Sequence, residues 1–470
     1  MHDYVIIGGG IAGLYTCYQL LKKHPHASIL LLEKSNRLGG RIYTYKDKHF
    51  SVEAGAGRFS DDHPLLFSLL KELRLQRYAS HASTNSVYIQ KETATMHGST
   101  NDAPPSSNSV INEIADNIPS LDRVTNHMLD TYLGQPILPN AGLIAKTILA
   151  SFAEPADKLR NMNFITYAKD HLTESQIQYI KNSFGYYSEL VIMNAYDALS
   201  LMNQLGPINT FYTMKGGLEQ IIDRITPILK ENNVKIKINH EVYSIKHITE
   251  IINVYPHFVN GQPFFEIIAQ NKKTQKTHTY HAKKCICALP RPALEPLRIF
   301  SPIINSHIRK VKCEPLCRIY AKFDPDPHTR KVWFHDLPKA TTNSNLRMII
   351  PIDTKTGVIM ISYTDNIYAQ FWKKIYEKRN IDELSQRIME YIRPLFPDKN
   401  IPPPKQIKVF YWNCGVGYWG IGANSQIISE EILQPFPNMD LYICGENYSQ
   451  KYQQWIEGAL ETANKVVELI

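Results

Sequence analysis

The sequence predicts an α/β fold, and three observations lead to this class. A short apolar segment, Tyr4–Ile7, is followed by a glycine-rich turn and then by a segment with helical periodicity. A second apolar segment, "SILLLEK", follows that helix. Short β-rich segments such as "CRIYAKF" and "GVIMISYT" recur in the last third of the chain. A strand–helix–strand unit predicts parallel strands covered by helices.

The composition is typical of a globular protein with a large core. The chain has 470 residues, of which 43% are hydrophobic and 20% are charged. This length exceeds one ordinary domain, so we expect two domains. The formal net charge of +8 is a mild basic bias, and no dense run of lysine and arginine is present. The bias favours anionic substrates and gives no indication of a nucleic-acid partner.

The cysteine spacing and the apolar segments predict a cytoplasmic protein. No paired C-x-x-C spacing occurs, so we expect neither a disulfide framework nor a zinc site, and a reducing compartment. No histidine falls in a metal-binding or triad spacing, and we expect no metal. No secretory signal precedes the first strand, and no apolar run is long enough for a membrane anchor. The seven cysteines are Cys17, Cys285, Cys287, Cys313, Cys317, Cys414 and Cys444.

The glycine-rich turn has the G-x-G-x-x-G pattern of a dinucleotide-binding loop. Gly8 permits the tight turn, Gly10 lets the backbone approach a diphosphate, and Gly13 allows close packing of helix on strand. Ile11 and Ala12 begin the helix, whose N-terminus offers free N–H groups and a positive dipole end to phosphate. The first 13 residues therefore predict a Rossmann-like cofactor domain.

The end of the second strand supports this interpretation. Glu33 follows the strand twenty residues after Gly13, where an acidic side chain accepts hydrogen bonds from both ribose hydroxyls. Lys34 comes directly after it and is included in the predicted cofactor site. The segment "KSNRLGGRIYT" then places Arg41 behind Gly39 and Gly40. Its planar guanidinium suits the oxygens of a diphosphate.

Together these segments resemble the flavin-containing amine oxidases, a family that includes monoamine, polyamine and L-amino acid oxidases. Three later segments extend the resemblance: "YTMKGGLEQIIDRI", "KCICALPRPAL" and "LYICGENYSQKYQQWIEGALETANKVV". The resemblance implies FAD, bound in a glutathione-reductase-like domain. It also implies backbone contact from Val242 to the adenine, and contacts from Gly445 and Glu446 to the ribityl and phosphate region. The helix starting at Trp455 and Ile456 would point its N-terminus at the flavin ring.

The resemblance implies that two domains alternate along the chain. The FAD-binding domain is expected at 1–80, 208–300 and 430–470, and an α+β substrate domain at 81–207 and 301–429. A polar, proline-containing loop is predicted at 100–109, followed by a mainly helical segment to about residue 204.

Aromatic walls and an arginine are the candidates for the catalytic site. The resemblance implies two rings that sandwich the substrate amine in front of the flavin, and Trp455 matches one of them. Tyr418 matches the other, with Trp419 as the rival in a register uncertain by one residue. Aromatic faces attract a cationic amine and orient its neutral form. Arg318 takes the place of a lysine that holds a water near the flavin in most relatives, and arginine cannot act as a base.

The segment "VEAGAGRFS" carries the candidate substrate anchor. The resemblance to L-amino acid oxidases, which have an arginine here that grips the α-carboxylate, assigns this role to Arg58. A bidentate arginine–carboxylate pair in a dry pocket is strong and directional. Gly57 and Arg58 are also expected to border the cofactor, and Tyr363 is expected to give a hydroxyl to the carboxylate. An arginine that contacts only the flavin or a helix end is the alternative.

The predicted activity is the oxidation of a primary amine by O2, with an L-amino acid as the first choice of substrate. The amine is oxidised to an imine, which is hydrolysed to a keto acid and ammonia, and O2 is reduced to hydrogen peroxide. FAD is expected to be non-covalent, because Gly417 stands where some relatives carry the attaching cysteine. The alternatives are a monoamine or polyamine oxidase, a flavin desaturase or dehydrogenase, and a non-catalytic flavoprotein scaffold. The expected partners are a small amine or amino acid and O2, with an oligomer possible.

Overall fold

A computed structural model of the protein describes residues 1–79, 86–89, 141–204, 210–249 and 262–470. The polar loop predicted at 100–109 and the first part of the predicted helical segment lie outside these residues. Within the described ranges the chain forms two large sheets, two small ones and helices around them. The α/β class predicted from the sequence is confirmed.

The first large sheet is the predicted Rossmann-like sheet. Its order is β10-β11-β12-β1-β2-β9, and β18 pairs with β12. Its core strands are parallel, and β10 and β11 join through antiparallel pairs. The strands are β1 (His2–Ile7), β2 (Ile29–Leu32), β9 (Lys235–Lys237), β10 (His240–Ile248), β11 (Phe264–Asn271), β12 (Thr277–Cys287) and β18 (Leu441–Ile443).

The side chains on both faces of β1 and β2 are buried, which explains why the sequences of these strands are continuous runs of apolar residues. Val5 and Leu30 pack into one buried cluster, whereas Ile6 and Leu31 pack into another on the opposite face. A parallel strand covered by helices on both sides needs apolar side chains at every position. The second of these clusters holds the helix after β1 and the C-terminal helix.

The second large sheet lies in the part predicted as the substrate domain. Its order is β17-β13-β16-β15-β14-β7, and all pairs except β14–β7 are antiparallel. Its strands are β7 (Ser86–Ile89), β13 (Val311–Lys322), β14 (Lys339–Thr342), β15 (Met348–Asp353), β16 (Val358–Asp365) and β17 (Gln406–Trp419). The small sheets contain β3 (Thr44–Lys46), β4 (Ser51–Glu53), β5 (Phe59–Ser60), β6 (Tyr78–Ala79) and β8 (Phe211–Thr213).

Helices cover both large sheets. Helix α1 packs against α9 and α15 beside the first sheet. The helices are α1 (Ile11–Lys23), α2 (Pro64–Glu72), α3 (Ala141–Ser151), α4 (Ala156–Arg160), α5 (Phe164–Ala168), α6 (Glu174–Ser183), α7 (Tyr187–Val191), α8 (Ala195–Gln204), α9 (Gln220–Glu231), α10 (Arg291–Leu294), α11 (Pro302–Lys310), α12 (Asn366–Tyr376), α13 (Ile381–Ile392), α14 (Ser425–Glu431) and α15 (Ile456–Leu469).

The helical segment before residue 204 is broken where the periodicity suggested continuity. Helix α6 ends at Ser183, and the buried guanidinium of Arg347 donates hydrogen bonds to the carbonyls of Lys181 and Asn182 at its end. A Cβ at Gly185 would lie 2.4 Å from the sulfur of Met348. Close contact with the second sheet therefore ends α6 and starts the short helix α7, which helps to form the cavity described below.

The structure corrects the expectation from the cysteine spacing. A disulfide joins Cys313 on β13 to Cys414 on β17, with a sequence separation of 101 residues. The two strands are antiparallel neighbours, and their register shifts between Glu314 and Leu316. This pairing is a consequence of the sheet, so no spacing rule along the chain indicates it. The other five cysteines are free and buried.

The two sheets draw on different parts of the chain. The first takes strands from 2–32, 235–287 and 441–443, and the second from 86–89, 311–365 and 406–419. We propose the domain boundaries given above on this basis. Within the described ranges, no helix combines the length and the apolarity needed to cross a membrane.

Candidate active site

A single cavity of about 960 Å³ joins the two large sheets. The turn after β1 and the ends of β2 and β12 form one end, and side chains of β13, β15 and β16 form part of the other. Helices α7 and α15 also contribute lining residues. The cavity therefore connects the predicted cofactor loop with the predicted substrate residues.

The glycine-rich turn leaves backbone donors free at the cavity. Gly8 has φ +109°, in the region that favours glycine. Helix α1 begins after Gly10, and no side chain caps it. Its first backbone N–H groups therefore donate no hydrogen bond to a capping side chain. A Cβ at Gly10 would meet no atom within 4 Å, whereas one at Gly13 would lie 2.0 Å from the Gly8 carbonyl oxygen. Gly10 thus faces open space, whereas the absence of a side chain at Gly13 lets helix α1 pack closely against the turn.

Glu33 lies at the rim of this turn, as predicted for a ribose-binding acid. Its carboxylate accepts hydrogen bonds from the backbone N–H of Gly9 at 2.7 Å and from the N–H and hydroxyl of Ser35, each at 2.7 Å. The side chain is buried and lines the cavity. Two of these hydrogen bonds go to one carboxylate oxygen and one to the other, so the second oxygen can still accept a hydrogen bond from a hydroxyl group.

Arg41 links the second glycine turn to the C-terminal segment. Its Nη2 donates to Glu446 at 3.0 Å, and its Nη1 donates to the Gly415 carbonyl at 3.2 Å. The other oxygen of Glu446 accepts the backbone N–H of Gly417 at 2.9 Å. This cation is therefore already paired with a buried carboxylate. The arrangement brings residues 41, 415–417 and 446 together around the cavity.

The predicted cofactor residues, with one exception, line the same cavity. The exception is Gly13, which packs helix α1 against the turn. Val242 lies next to a register shift in β10, and helix α15 begins at the cavity without a side-chain cap. The lining residues are Gly8, Gly10, Ile11, Ala12, Glu33, Lys34, Gly39, Gly40, Arg41, Gly57, Arg58, Val242, Gly445, Glu446, Trp455 and Ile456.

Arg58 stands in the part of the cavity away from the glycine turn. Its Nη2 lies 3.3 Å from the hydroxyl of Tyr186, and its guanidinium stacks over the ring of Phe211 at 4.2 Å. Within the described residues it forms no ion pair with a carboxylate. An arginine held in place by a ring and a hydroxyl, with donors left over, suits an anionic ligand.

Arg318 and Tyr363 lie together in this region. The Arg318 guanidinium stacks over the Tyr363 ring at 4.7 Å, and its Nη1 donates to the Glu53 carbonyl at 2.9 Å. A Cβ at Gly57 would lie 3.1 Å from Arg318 Nη1, so this glycine gives the arginine room. Arg318 lines the cavity as a fixed positive charge and not as a proton acceptor.

Two of the three predicted aromatic residues face the cavity. Tyr418 is buried against the helical core, and burial raises its pKa well above the ordinary value. Trp455 stacks on Phe211 with ring centroids 6.0 Å apart, and its indole N–H has no hydrogen-bond partner among the described residues. Both rings line the cavity.

The assignment of Trp419 to the substrate site is wrong. This side chain is fully buried in the core beneath the first sheet, and its indole N–H donates to the Ser449 carbonyl at 3.0 Å. It does not line the cavity. Successive residues of a strand point to opposite faces, so Tyr418 and Trp419 cannot both face the substrate.

The structure adds Glu189 and Lys339, which sequence analysis missed. Glu189 lies on α7 and is the only charged residue between Lys181 and Asp197, which is the one feature of the sequence that could have indicated it. Burial raises its pKa to about 8, and the negative charge of Asp365 adds to this effect. Lys339 begins β14, and burial lowers its pKa to about 7, with a further contribution from Arg58. Both residues line the cavity, although neither belongs to a motif.

Comparison with known proteins agrees with this geometry. A family model described as flavin containing amine oxidoreductase matches residues 11–470. An uncharacterized protein of Acanthamoeba polyphaga mimivirus is 23% identical over 510 residues, covering 99% of this chain and 93% of the relative. Horse amine oxidase [flavin-containing] A is 37% identical over 92 residues, which cover 19% of this chain and 17% of that enzyme.

Solved structures of putrescine oxidase have the same fold. The wild-type enzyme bound to putrescine superimposes with a TM-score of 0.68 at 15% identity, covering 99% of this chain and 98% of the other. At this identity the likeness concerns the fold alone. The residues around the glycine turn fit a flavin dinucleotide, since a free helix N-terminus, an acidic side chain and an open approach at Gly10 meet in one cavity.

Proposed function

The chain belongs to the family of flavin containing amine oxidoreductases, and from this premise we propose that it is an FAD-dependent oxidase of an L-α-amino acid. The observation that carries the choice of substrate is Arg58, a cavity arginine without a carboxylate partner among the described residues. Removing charge from water is unfavourable unless the charge is paired, so this site favours an anionic group. An α-carboxylate supplies one beside the amine.

The roles of the residues follow from their places in the cavity. FAD held in this cavity would supply the two-electron oxidation of the substrate at Cα and the reduction of O2 to hydrogen peroxide. Arg58 holds the α-carboxylate, while Tyr418 and Trp455 confine the amine between their rings. Tyr363 lies beside Arg318 and lines the cavity, and we assign to it donation of its hydroxyl to the same substrate. A fixed carboxylate and a confined amine limit the orientations of the Cα–H bond.

Glu189 is the group we propose for accepting the proton of the substrate ammonium. An amine stabilises the developing iminium only after its nitrogen has lost a proton. The Glu189 carboxyl lines the cavity and has no hydrogen-bond partner within the described ranges. It interacts electrostatically with Arg58 and Asp365, and Tyr418 in turn interacts with Glu189. Glu189 therefore lies near both the predicted carboxylate anchor and the predicted aromatic wall.

The pH dependence of turnover tests this role. The pKa of Glu189 is raised to about 8, so the carboxylate that can accept a proton forms above this pH. We expect kcat/KM to rise with pH through about 8. Glu189→Gln should remove this transition and lower kcat/KM at high pH by about 100-fold.

Glu314→Gln is the matched control for this experiment. Burial raises the pKa of Glu314 to about 6, and its carboxyl accepts a hydrogen bond from Asn366, but it does not line the cavity. Its substitution should leave the transition near pH 8 in place. A Glu189→Gln protein with an unchanged pH profile would show that another group accepts the proton.

The function itself is tested by an anaerobic titration of the purified protein. The protein should be yellow, and acid should release all of the colour, because the free cysteines do not line the cavity and Cys414 is in the disulfide. L-Amino acids should bleach the flavin band, and air should restore it with formation of one equivalent of hydrogen peroxide. Colour retained in the acid pellet would contradict non-covalent binding.

The alternatives give different results in the same titration. A monoamine or polyamine oxidase would be bleached by simple amines and not by amino acids. A desaturase or dehydrogenase would be reduced but would recover slowly in air. A flavoprotein scaffold would not be bleached by any of these compounds. The cations Arg58, Arg318 and Lys339 weigh against a polyamine, because they repel a substrate with several positive charges.

The cytoplasmic location stays a prediction. The Cys313–Cys414 disulfide bears on it, because disulfides persist mainly in oxidising compartments. Mass spectrometry of the alkylated protein from its native source decides between the thiol and disulfide forms. Two alkylated cysteines at these positions would agree with the cytoplasm.

A further inference from the structure

Besides Arg58 and Arg318, the cavity contains a further cation, Lys339, which has no place in the mechanism above. Lys339 lies at the start of β14, and the apolar side chains Ile350 of β15 and Met360 of β16 line the same cavity. The positive charge of Arg58 acts on Lys339, after burial, as a cause of its lowered pKa. The two cationic side chains are therefore close enough to repel one another.

No described residue neutralises these two charges. Arg58 contacts the Tyr186 hydroxyl and the Phe211 ring, and neither Arg58 nor Lys339 has an ion pair within the described ranges. Glu189 is the nearby acid, and with its raised pKa it is mainly protonated at pH 7. By contrast, Arg41 at the cofactor end is paired with Glu446 at 3.0 Å. Neither Arg58 nor Lys339 has such a carboxylate partner within the described ranges.

An anionic ligand removes this repulsion. Two like charges enclosed by low-dielectric walls disfavour each other, and each also loses hydration. A carboxylate beside Lys339 would favour the charged ammonium and return its pKa toward the ordinary value. One carboxylate at Arg58 leaves Lys339 uncompensated, whereas two carboxylates on one substrate match both cations.

We propose that the substrate is an acidic L-α-amino acid, with its α-carboxylate at Arg58 and its side-chain carboxylate at Lys339. This inference rests on the proposed function and narrows it to one substrate class. Lys339 is the residue that determines specificity, since the reaction at Cα does not need it. Apolar residues beside Lys339 on β15 and β16 would contact the methylene groups of the side chain.

Isosteric pairs of substrates test the role of Lys339. L-Glutamate and L-glutamine differ in charge and little in shape, as do L-aspartate and L-asparagine. In the unmodified protein, kcat/KM should be about 10- to 100-fold higher for the acid than for its amide, the range for one hydrogen bond to a charged group. Lys339→Met keeps most of the length of the side chain without its charge, and should remove this preference by lowering kcat/KM for the acids toward that for the amides.

Lys322→Met is the matched control. Lys322 lies on β13 of the same sheet and does not line the cavity. This variant should keep the preference for the acids. If Lys339→Met and Lys322→Met behave alike, Lys339 does not recognise the side chain.

A binding measurement without turnover gives an independent readout. Glutarate, with two carboxylates, and butyrate, with one, are titrated against the flavin absorbance of the holoenzyme. Glutarate should bind more tightly, and Lys339→Met should make the two equal. Flavin reduction by neutral amino acids with no preference for acidic ones would overturn this inference and leave the proposed function standing. Reduction by simple amines alone would overturn both.

Discussion

Gly10→Val is expected to give a folded protein that does not retain FAD. A Cβ at this position meets no atom within 4 Å, and the backbone has φ −72°, which any residue adopts. The Cβ of the new side chain therefore does not clash with the protein, and the substitution does not strain the backbone. It instead fills the space over the free N–H groups at the start of α1, where a diphosphate would approach.

The loss of affinity should be large because two or more charge-assisted hydrogen bonds depend on this approach. Each contributes roughly 1.5–3 kcal/mol, so FAD should bind about 100-fold more weakly or worse. The measurement is the ratio of flavin to protein absorbance after gel filtration, with circular dichroism to verify the fold. A variant with the normal flavin content would show that the diphosphate does not approach Gly10.

Gly13→Ala is the control that separates cofactor binding from folding. A Cβ at Gly13 would lie 2.0 Å from the backbone oxygen of Gly8, so the helix must move away from the turn. We expect a lower melting temperature for this variant, since strained packing of this kind typically costs about 1–3 kcal/mol. Gly10→Val should melt near the temperature of the apoprotein.

Arg58→Ala is expected to lower kcat/KM for L-amino acids by about 100- to 1000-fold while changing turnover of simple amines little. Truncating one partner of a buried charge pair costs about 2–5 kcal/mol, because the other charge is left unpaired. Simple amines have no carboxylate, so removal of Arg58 leaves no unpaired charge on them. KM should carry most of the effect. Arg58→Lys should restore part of the activity, because lysine keeps the charge without the planar fork.

Arg77→Ala is the matched control for Arg58. Arg77 stacks over Phe67 at 4.2 Å, the same distance at which Arg58 stacks over Phe211, but it is exposed and does not line the cavity. Its loss should leave both substrate classes unaffected. An equal loss for amino acids and amines in Arg58→Ala would remove the carboxylate-anchor role.

The local motifs were sufficient to predict segments that the structure brings to one cavity. Gly8, Gly10, Gly13 and Glu33 lie within one strand–helix–strand unit, where their spacing fixes their relative positions. The later segments with Val242, Gly445 and Glu446 each carry their own pattern, and the structure brings them to the same cavity. Short-range geometry of this type is encoded in a contiguous stretch of chain.

The substrate end was only partly predictable. A register uncertain by one residue left Tyr418 and Trp419 as rivals, and only pairing with β13 shows which of them faces the cavity. Glu189 and Lys339 have no motif, and they come from a helix and a strand about 150 residues apart. The Cys313–Cys414 disulfide depends in the same way on two neighbouring strands.

By itself the sequence determined the α/β class, the glycine-rich loop and the segments that line the cavity around it, because glycine conformation, strand burial and helix termini act over a few residues. Only the tertiary structure added Glu189 and Lys339 to the predicted Arg58 and Arg318. Arg58, Glu189, Arg318 and Lys339 are brought together by sheet pairing and helix packing. The protonation of these groups depends on their burial and on the charges of one another. Neither the burial nor the proximity of the charges exists before the chain has folded.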